Sequence, residues 1–160
     1  MRIGIGYDIH RFQEGRRLLL GGVEIEGEEG LGGHSDADVL LHAIMDALLG
    51  AAGLSDIGHF FPPDDPTFAG ADSRELLART MQMIGPLGYA VENVDATVIA
   101  ERPRLAPHIK AMRQRIAETL EMDESRVSVK ATTNEGLGDI GRGEGIAALA
   151  VALLVPRGVR

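Results

Sequence analysis

The residues from Ile3 to His10 alternate strictly between two kinds of side chain, and this alternation constrains the fold more than any other feature of the sequence. Every second residue is apolar, namely Ile3, Ile5, Tyr7 and Ile9. The residues between them are Gly4, Gly6, Asp8 and His10. Successive side chains of a β-strand point to opposite faces, so the segment predicts an opening strand whose isoleucine-rich face is buried in the core. The other face then ends in a carboxylate and an imidazole side by side.

The composition is that of a globular chain and narrows the kinds of partner. Of the 160 residues, 44% are hydrophobic and 25% are charged, which is ordinary for one folded domain over residues 1–160. The net charge of -8 argues against non-specific binding to nucleic acid or to an anionic membrane. A ligand that carries phosphate would therefore need a metal ion or a set of directed hydrogen-bond donors.

The chain contains no cysteine, which removes disulfides, thiolate metal sites and cysteine nucleophiles together. Any metal must then be bound by nitrogen and oxygen atoms. The N-terminus lacks the layout of a signal or transit peptide. The longest strongly apolar run, Ile146 to Val155, is much shorter than the roughly 20 residues that cross a bilayer. We therefore expect a cytoplasmic protein that does not enter the membrane.

Periodicity and turn residues predict a mixture of strands and helices. Strands are expected over about 1–7, 89–101, 126–133 and 146–155, and Arg16 to Gly30 forms a hairpin candidate around a Gly-Gly turn. Helices are expected from Asp36, as the cap, to Gly50 or Gly53, and over 72–84 and 107–122. This order favours an α+β fold, with a mixed β-sheet, helices packed on one face and a small N-terminal hairpin.

Two of the five histidines point to a metal site. His42 lies mid-helix between Asp38 and Asp46, which are four residues away on either side and give the helix a polar stripe. If His42 faces Asp8 and His10, two imidazoles and one carboxylate converge, a set that suits zinc with an open fourth position. The alternative from spacing alone is that Asp8 hydrogen-bonds one histidine in a partly buried pair.

Other polar segments allow both a functional and a structural interpretation. His34 and Ser35 precede a helix, whose N-terminus favours anions, but Ser35 and Asp36 could equally cap it. The segment Lys130 to Glu135 ends a predicted strand, where hydroxyls could bind phosphate and Glu135 could hold magnesium, or where the strand simply ends. Arg142 and Glu144 are expected to form an ion pair in a tight turn.

Six segments, taken together and in order, closely resemble one family. They are GYDIHRF at 6–12, GHSDADVLLHAIMDALLGA at 33–51, SDIGHFFP at 55–62, GADSRELL at 70–77, KATTNE at 130–135 and GRGEGIA at 141–147. The chain is similar from end to end to the 2-C-methyl-D-erythritol 2,4-cyclodiphosphate synthases of the non-mevalonate isoprenoid pathway. The resemblance strengthens the metal hypothesis considerably.

The resemblance implies a homotrimer with active sites at the subunit interfaces, each holding zinc and a magnesium or manganese ion. Asp8, His10 and His42 match the zinc ligands, and Glu135 matches the carboxylate of the second metal. The positions that match substrate contacts are His34, Ser35, Asp56, Ile57 and Gly58, with the flexible loop Phe61, Pro62, Pro63, Asp64 and Asp65. The positions that match the cytidine pocket of the neighbouring subunit are Ala100, Glu101, Arg102, Pro103, Arg104, Leu105 and Ala106, with Ala131, Thr132 and Thr133. His34 and Thr133 match the positions that steady the transition state.

The implied activity is that of a metal-dependent, cyclising phosphorus-oxygen lyase that acts on a cytidine diphosphate derivative of methylerythritol 2-phosphate. The 2-phosphate attacks the β-phosphorus, CMP leaves and a cyclic diphosphate remains. Such a reaction depends on positioning and charge neutralisation more than on general bases. Two alternatives are a two-metal phosphohydrolase, which would normally need more bridging carboxylates, and a non-catalytic protein that binds a metal or a nucleotide.

Three positions depart from the family pattern. Pro63 stands where many relatives carry an acidic residue that contacts the erythritol, so that contact would shift to Asp64 or be lost. Asn134 replaces a usual threonine. Asp139 stands where an aromatic residue often lines an apolar cavity on the threefold axis, which with the matching Arg142 is suggested to take isoprenoid diphosphates; an acid there argues against that binding.

Overall fold

The computed structural model describes residues 1–158, which form a five-stranded sheet, a two-stranded hairpin and five α-helices. In chain order the elements are β1 (Arg2–Gln13), β2 (Leu18–Leu20), β3 (Val23–Ile25), β4 (Gly30–Leu31), α1 (Val39–Ala52), α2 (Ile57–Phe60), α3 (Ser73–Ile84), β5 (Tyr89–Ile99), α4 (Ile109–Thr119), β6 (Val127–Thr132), α5 (Gly138–Gly141) and β7 (Gly145–Pro156). Short 3-10 turns cover Pro66–Phe68, Gly85–Leu87 and Glu124–Arg126.

The large sheet has the strand order β4-β1-β7-β5-β6. It is mixed, because β5 and β6 run parallel while the other neighbouring pairs are antiparallel. The hairpin of β2 and β3 turns at Gly21 and Gly22, as the sequence predicts. The α+β class, the mixed sheet and the N-terminal hairpin are thereby confirmed.

The helices lie on one face of the sheet. Helix α1 packs on β1, β7 and β5, α4 packs on β6, and α3 packs against both α1 and α4. Helix α1 is capped by Asp38, whose side chain accepts from the Leu41 amide, so the prediction of Asp36 as the cap is wrong. Gly50 lies within α1, and Gly53 ends the helix in a left-handed conformation at φ 77°.

The prediction that the isoleucine face of β1 is buried is wrong. Ile3, Ile5, Tyr7 and Ile9 are 72%, 67%, 55% and 47% exposed. The opposite face, which carries Gly4 and Gly6, lies against α1 instead. We call the face with Gly4, Gly6, Asp8 and His10 the helix face of β1, and the face with Ile3, Ile5, Tyr7 and Ile9 its open face.

The glycines explain why the helix face is the buried one. A Cβ at Gly4 would lie 2.0 Å from the Ala47 carbonyl oxygen, and a Cβ at Gly6 would lie 2.0 Å from the Ala43 carbonyl oxygen. Strand β7 adds small residues beside them, because Ala152 and Ala150 pair with Gly4 and Gly6. The backbone of α1 therefore approaches β1 more closely than a side chain at either glycine position would allow.

Several boundaries also differ from those predicted. Strand β1 continues to Gln13 rather than ending near residue 7, and α4 begins at Ile109, after Pro107. The predicted loop of residues 55–71 contains α2 and a 3-10 turn. Within residues 1–158, no helix combines the length and apolar character that crossing a bilayer requires.

Candidate active site

Asp8, His10 and His42 bring three donor atoms to one point between β1 and α1. Asp8 Oδ2 lies 2.9 Å from both His10 Nε2 and His42 Nδ1, and the two nitrogens are 3.2 Å apart. Donors at zinc-bond length in a tetrahedral site lie about 3.3 Å from one another. The three atoms therefore fit one small metal ion, and three protein ligands leave a fourth position open.

The local fold explains this convergence. Asp8 and His10 follow Gly4 and Gly6 on the helix face of β1, and the close approach at Gly6 brings in the first turns of α1. His42 lies in the turn that contacts this end of the strand and is only 7% exposed. Asp38, at the start of the predicted polar stripe, takes no part, because its carboxylate accepts from the Gly21 and Gly22 amides at 2.9 and 2.7 Å.

The atoms behind the donors also have partners, as is usual for metal ligands. His10 Nδ1 donates to the Gly32 carbonyl at 2.6 Å, which leaves Nε2 free to bind a metal. The second oxygen of Asp8 accepts from the Ile9 amide at 2.8 Å. His42 Nε2 lies 3.1 Å from the hydroxyls of both Ser35 and Ser73.

The sequence did not predict a role for Ser73; its segment was predicted only as the start of the helix over 72–84. Ser73 is the first residue of α3 and is fully buried, with its hydroxyl directed at His42. The sequence carries no signal for this role, because a serine directly after a capping aspartate is an ordinary way to start a helix. The segment 70–77 entered the family resemblance without a role for this residue.

The electrostatics of the site favour a cation. Burial alone would raise the pKa of Asp8, yet the hydrogen bonds from His10 and His42 outweigh it and hold the pKa well below its usual range. Burial opposes a charged His10, but its hydrogen bond to Asp8 raises the pKa of the imidazole. Burial raises the pKa of Asp46, which lies one turn beyond His42. The negative charge of Asp8 therefore lies at the point where the three donors meet.

A cavity of about 210 Å³ opens beside the three donors. It is lined by Asp8, His10, His34, Ser35, His42, Met45, Ile57, Gly58, Phe61, Pro63, Phe68 and Leu76. Lysine and arginine are absent from this lining among residues 1–158. Of the predicted substrate-binding residues, His34, Ser35, Ile57, Gly58, Phe61 and Pro63 therefore lie at the cavity.

The remaining predicted substrate residues, Asp56, Pro62, Asp64 and Asp65, do not line the cavity. Asp56 caps α2 and accepts from the His59 amide at 3.0 Å, and Asp46 accepts from the Ile57 amide at 2.8 Å. Pro62, Asp64 and Asp65 continue the same loop without lining the cavity. His34 Nε2 donates to the Asp65 carbonyl at 2.9 Å, so a predicted catalytic residue holds the loop in this structure.

The predicted cytidine-binding residues come together with one another but not with the cavity. Segments 100–106 and 131–133 meet where β5 and β6 end, and the Ala100 amide donates to the Thr132 carbonyl at 3.0 Å. Thr133 donates its hydroxyl to Glu135 at 3.0 Å, and both residues are exposed. In the part of the chain that the structure describes, none of these residues lines the cavity at the triad.

Two arginines near these segments, Arg102 and Arg142, pair with carboxylates of the same chain. Arg102 lies over the Phe12 ring at 4.0 Å and pairs with Glu29 at 2.9 Å. The expected ion pair of Arg142 and Glu144 is present at 2.8 Å, and Asp139 also pairs with Arg142. The Arg142 guanidinium is therefore held by two carboxylates of its own chain.

Comparison with known proteins shows which family and which solved structures the chain is similar to. The model of the YgbB family matches residues 1–155. A 2-C-methyl-D-erythritol 2,4-cyclodiphosphate synthase from Synechococcus elongatus is 61% identical over 154 residues, which are 96% of each chain. Among solved structures, the bifunctional IspDF from Campylobacter jejuni superposes with a TM-score of 0.92 at 48% identity, over 96% of this chain and 42% of that longer one. The IspF of Plasmodium falciparum in a CDP complex has a TM-score of 0.85 at 39% identity, over 98% of this chain and 97% of that one.

The donor triad, the cavity beside it and the likeness over nearly the whole length agree with one another. This chain belongs to the YgbB family.

Proposed function

We propose that this protein converts 4-diphosphocytidyl-2-C-methyl-D-erythritol 2-phosphate into 2-C-methyl-D-erythritol 2,4-cyclodiphosphate and CMP. The observation that carries the proposal is the convergence of Asp8, His10 and His42 beside a cavity in a chain of this family. Relatives named for this synthase activity at about 60% identity support it. A structural relative in a CDP complex supports a cytidine nucleotide as part of the substrate.

The donor set supports zinc at the triad. Two imidazole nitrogens and one carboxylate oxygen are typical zinc ligands, and a site with three protein ligands is of the catalytic kind. We propose that Glu135 holds a magnesium or manganese ion, because an exposed carboxylate with the Thr133 hydroxyl beside it suits an oxygen-preferring ion. When bound, these ions neutralise negative charge on the phosphate oxygens and on the leaving CMP.

The reaction is an intramolecular phosphoryl transfer. An oxygen of the 2-phosphate forms a bond to the β-phosphorus, and the bond from that phosphorus to the bridging oxygen breaks, so that CMP leaves with the electron pair. The chain mainly has to hold the two phosphates in line. We propose that His34, Ser35 and the turn from Asp56 to Gly58 orient the methylerythritol phosphate, and that the loop Phe61–Asp65 excludes water.

His34 and Thr133 are proposed to donate hydrogen bonds to oxygens that gain charge in the transition state. His34 lines the cavity and has the Asp65 carbonyl as its present partner, so substrate would exchange one acceptor for another. Thr133 adjoins Glu135 and would act on the same phosphate group as the second ion.

We propose a homotrimer in which the neighbouring subunit supplies the cytidine pocket. Two observations support this assembly. Segments 100–106 and 131–133 do not line the cavity of their own chain, within the residues that the structure describes. The open face of β1, continued by Leu149 at 38% exposure, leaves a row of large apolar side chains in water unless another subunit covers it. A cytoplasmic location stays a prediction.

Product analysis tests the reaction. With the cytidylyl substrate, zinc and magnesium, the protein should release CMP and the cyclic diphosphate without inorganic phosphate. Release of inorganic phosphate would instead indicate a phosphohydrolase.

The variant His42→Ala should lose both bound zinc and turnover, since it removes one of three donors. His108→Ala, a histidine at the start of α4 and outside the triad, is the matched control and should retain both. Full turnover by a zinc-free His42→Ala protein would contradict the proposed metal site.

A further inference from the structure

Behind His42 lies a series of hydrogen-bonded polar groups, Ser73 and Asp36, that the proposed reaction does not use. Ser73 Oγ is 2.5 Å from Asp36 Oδ1 and 3.1 Å from His42 Nε2. The Ser73 amide donates to the second oxygen of Asp36 at 2.9 Å. Ser73 is fully buried, whereas Asp36 is half-buried.

The direction of these hydrogen bonds follows from the chemistry of the groups. A carboxylate only accepts, so the Ser73 hydroxyl donates its single proton to Asp36. The serine oxygen can then only accept from His42, which requires a proton on Nε2. The Ser35 hydroxyl, 3.1 Å from the same nitrogen, accepts from the Ala37 amide at 3.2 Å and can accept from Nε2 as well.

A proton on Nε2 leaves the lone pair of a neutral His42 on Nδ1. That atom is the one that lies 2.9 Å from Asp8 Oδ2 and 3.2 Å from His10 Nε2. His10 needs no such device, because its Nδ1 faces a backbone carbonyl that can only accept. A serine can either donate or accept, so Ser73 alone would leave the tautomer of His42 open.

We propose that Asp36 and Ser73 are positioning residues that fix His42 in the tautomer with Nδ1 free for the metal. Asp36 sets the direction of the serine hydroxyl, and the hydroxyl sets the protonated nitrogen of the histidine. The inference rests on the proposed metal site and adds to it two residues with no assigned role. Partners of this kind typically change metal affinity by about 10- to 100-fold when removed.

The contacts also join the segment before α1 to the start of α3, so the test must separate metal binding from folding. Ser73→Ala removes the hydroxyl. Asp36→Asn keeps the shape, but its amide can donate to the Ser73 oxygen and so release the hydroxyl proton toward His42 Nε2. Thr80→Val is the matched control, since Thr80 is another fully buried hydroxyl of α3 and donates to the Leu76 carbonyl, away from the triad.

Zinc affinity is measured by competition with a chelator on purified proteins whose fold is checked by circular dichroism. We expect Ser73→Ala and Asp36→Asn to bind zinc about 10- to 100-fold more weakly than the parent. The Thr80→Val protein should bind zinc like the parent, even if it unfolds at a lower temperature. Equal loss of affinity in all three variants would overturn the inference, because packing of α3 would then explain the loss.

A second measurement needs no variant. In the zinc-loaded parent with nitrogen-15-labelled histidine, the two-bond proton–nitrogen spectrum should show His42 protonated on Nε2 and His10 on Nδ1. A zinc-bound Nε2 in His42 would overturn the inference.

The outcomes separate this inference from the proposed metal site. A parent that binds no zinc would overturn both. Parent-like zinc affinity in both Ser73→Ala and Asp36→Asn would overturn this inference alone.

Discussion

The two faces of β1 differ in a way that reverses the simplest interpretation of the sequence. The helix face carries Gly4 and Gly6 and then the two metal-ligand candidates Asp8 and His10, and it is covered by α1. The open face carries three isoleucines and a tyrosine and is left exposed in the single chain. The apolar face is thus the outer one, and the face with the two glycines is the inner one.

The difference teaches that the glycines serve the site as well as the packing. Because Gly4 and Gly6 have no Cβ, α1 lies close enough to β1 for His42 to reach Asp8. The isoleucines of the open face are then free for contact between subunits. One strand therefore builds a site on one side and, we propose, an interface on the other.

Filling the helix face should have the largest effect. Gly6→Val would place a side chain where the Ala43 carbonyl lies 2.0 Å from the Cβ position, so the helix backbone must move. We expect a loss of about 3 kcal/mol or more in the free energy of unfolding, measured by denaturant titration. Gly50→Ala is the control, since a Cβ there meets nothing within 4 Å and alanine stabilises a helix by about 0.5–1 kcal/mol relative to glycine. A Gly6→Val protein as stable as the parent would show that α1 can shift freely.

Charging the open face should separate folding from assembly. Ile5 is 67% exposed in the single chain, so Ile5→Asp should leave the secondary structure intact. In the proposed trimer the introduced aspartates would bring like charges to the subunit interface and repel, so we expect subunits that run as monomers in light scattering and have lost turnover. A fully active trimer of Ile5→Asp would rule out this face as the interface.

Removing the metal should cost less than filling the helix face. A ligand at a hundred times its dissociation constant stabilises a fold by about 2.7 kcal/mol. We therefore expect EDTA to lower the melting temperature of the zinc-loaded parent. His42→Ala should melt at the same temperature with and without EDTA. An identical effect of EDTA on both proteins would place the bound ion elsewhere.

The smallest effect is expected for Tyr7→Phe on the open face. Only a hydroxyl is removed from a side chain that is 55% exposed in the single chain. We expect a change within about 0.5 kcal/mol in the free energy of unfolding, and we expect the proposed trimer to stay intact. Dissociation of the Tyr7→Phe trimer would mean that the interface depends on a polar contact rather than on apolar area.

The sequence allowed more of the site to be predicted than of its surroundings. Asp8, His10 and His42 follow from donor chemistry, from a histidine within a helical pattern and from the family resemblance. Ser73 could not be found in this way, because a serine after a capping aspartate is an ordinary way to start a helix. Its role depends on α3 starting beside His42, a contact between segments that are 31 residues apart.

The sequence also led to the wrong prediction of which face of β1 is buried, and the reason is physical. Alternation shows that the strand has two different faces, but hydrophobicity alone does not say which of them a helix covers. A signal was present in α1, where Ala43, Ala47 and Ala51 repeat every fourth residue and match the glycines of β1. Small residues on both elements indicate close backbone packing, which the isoleucine face could not allow.

The sequence by itself determined the donor types, the opening strand, the first long helix and the family, because these depend on residue identity and local periodicity. Only the tertiary structure decided which face of the strand meets the helix, which buried hydroxyls stand behind His42 and that the predicted cytidine segments lie away from their own triad. Those outcomes depend on distances between segments far apart in the chain, which packing fixes and local pattern does not.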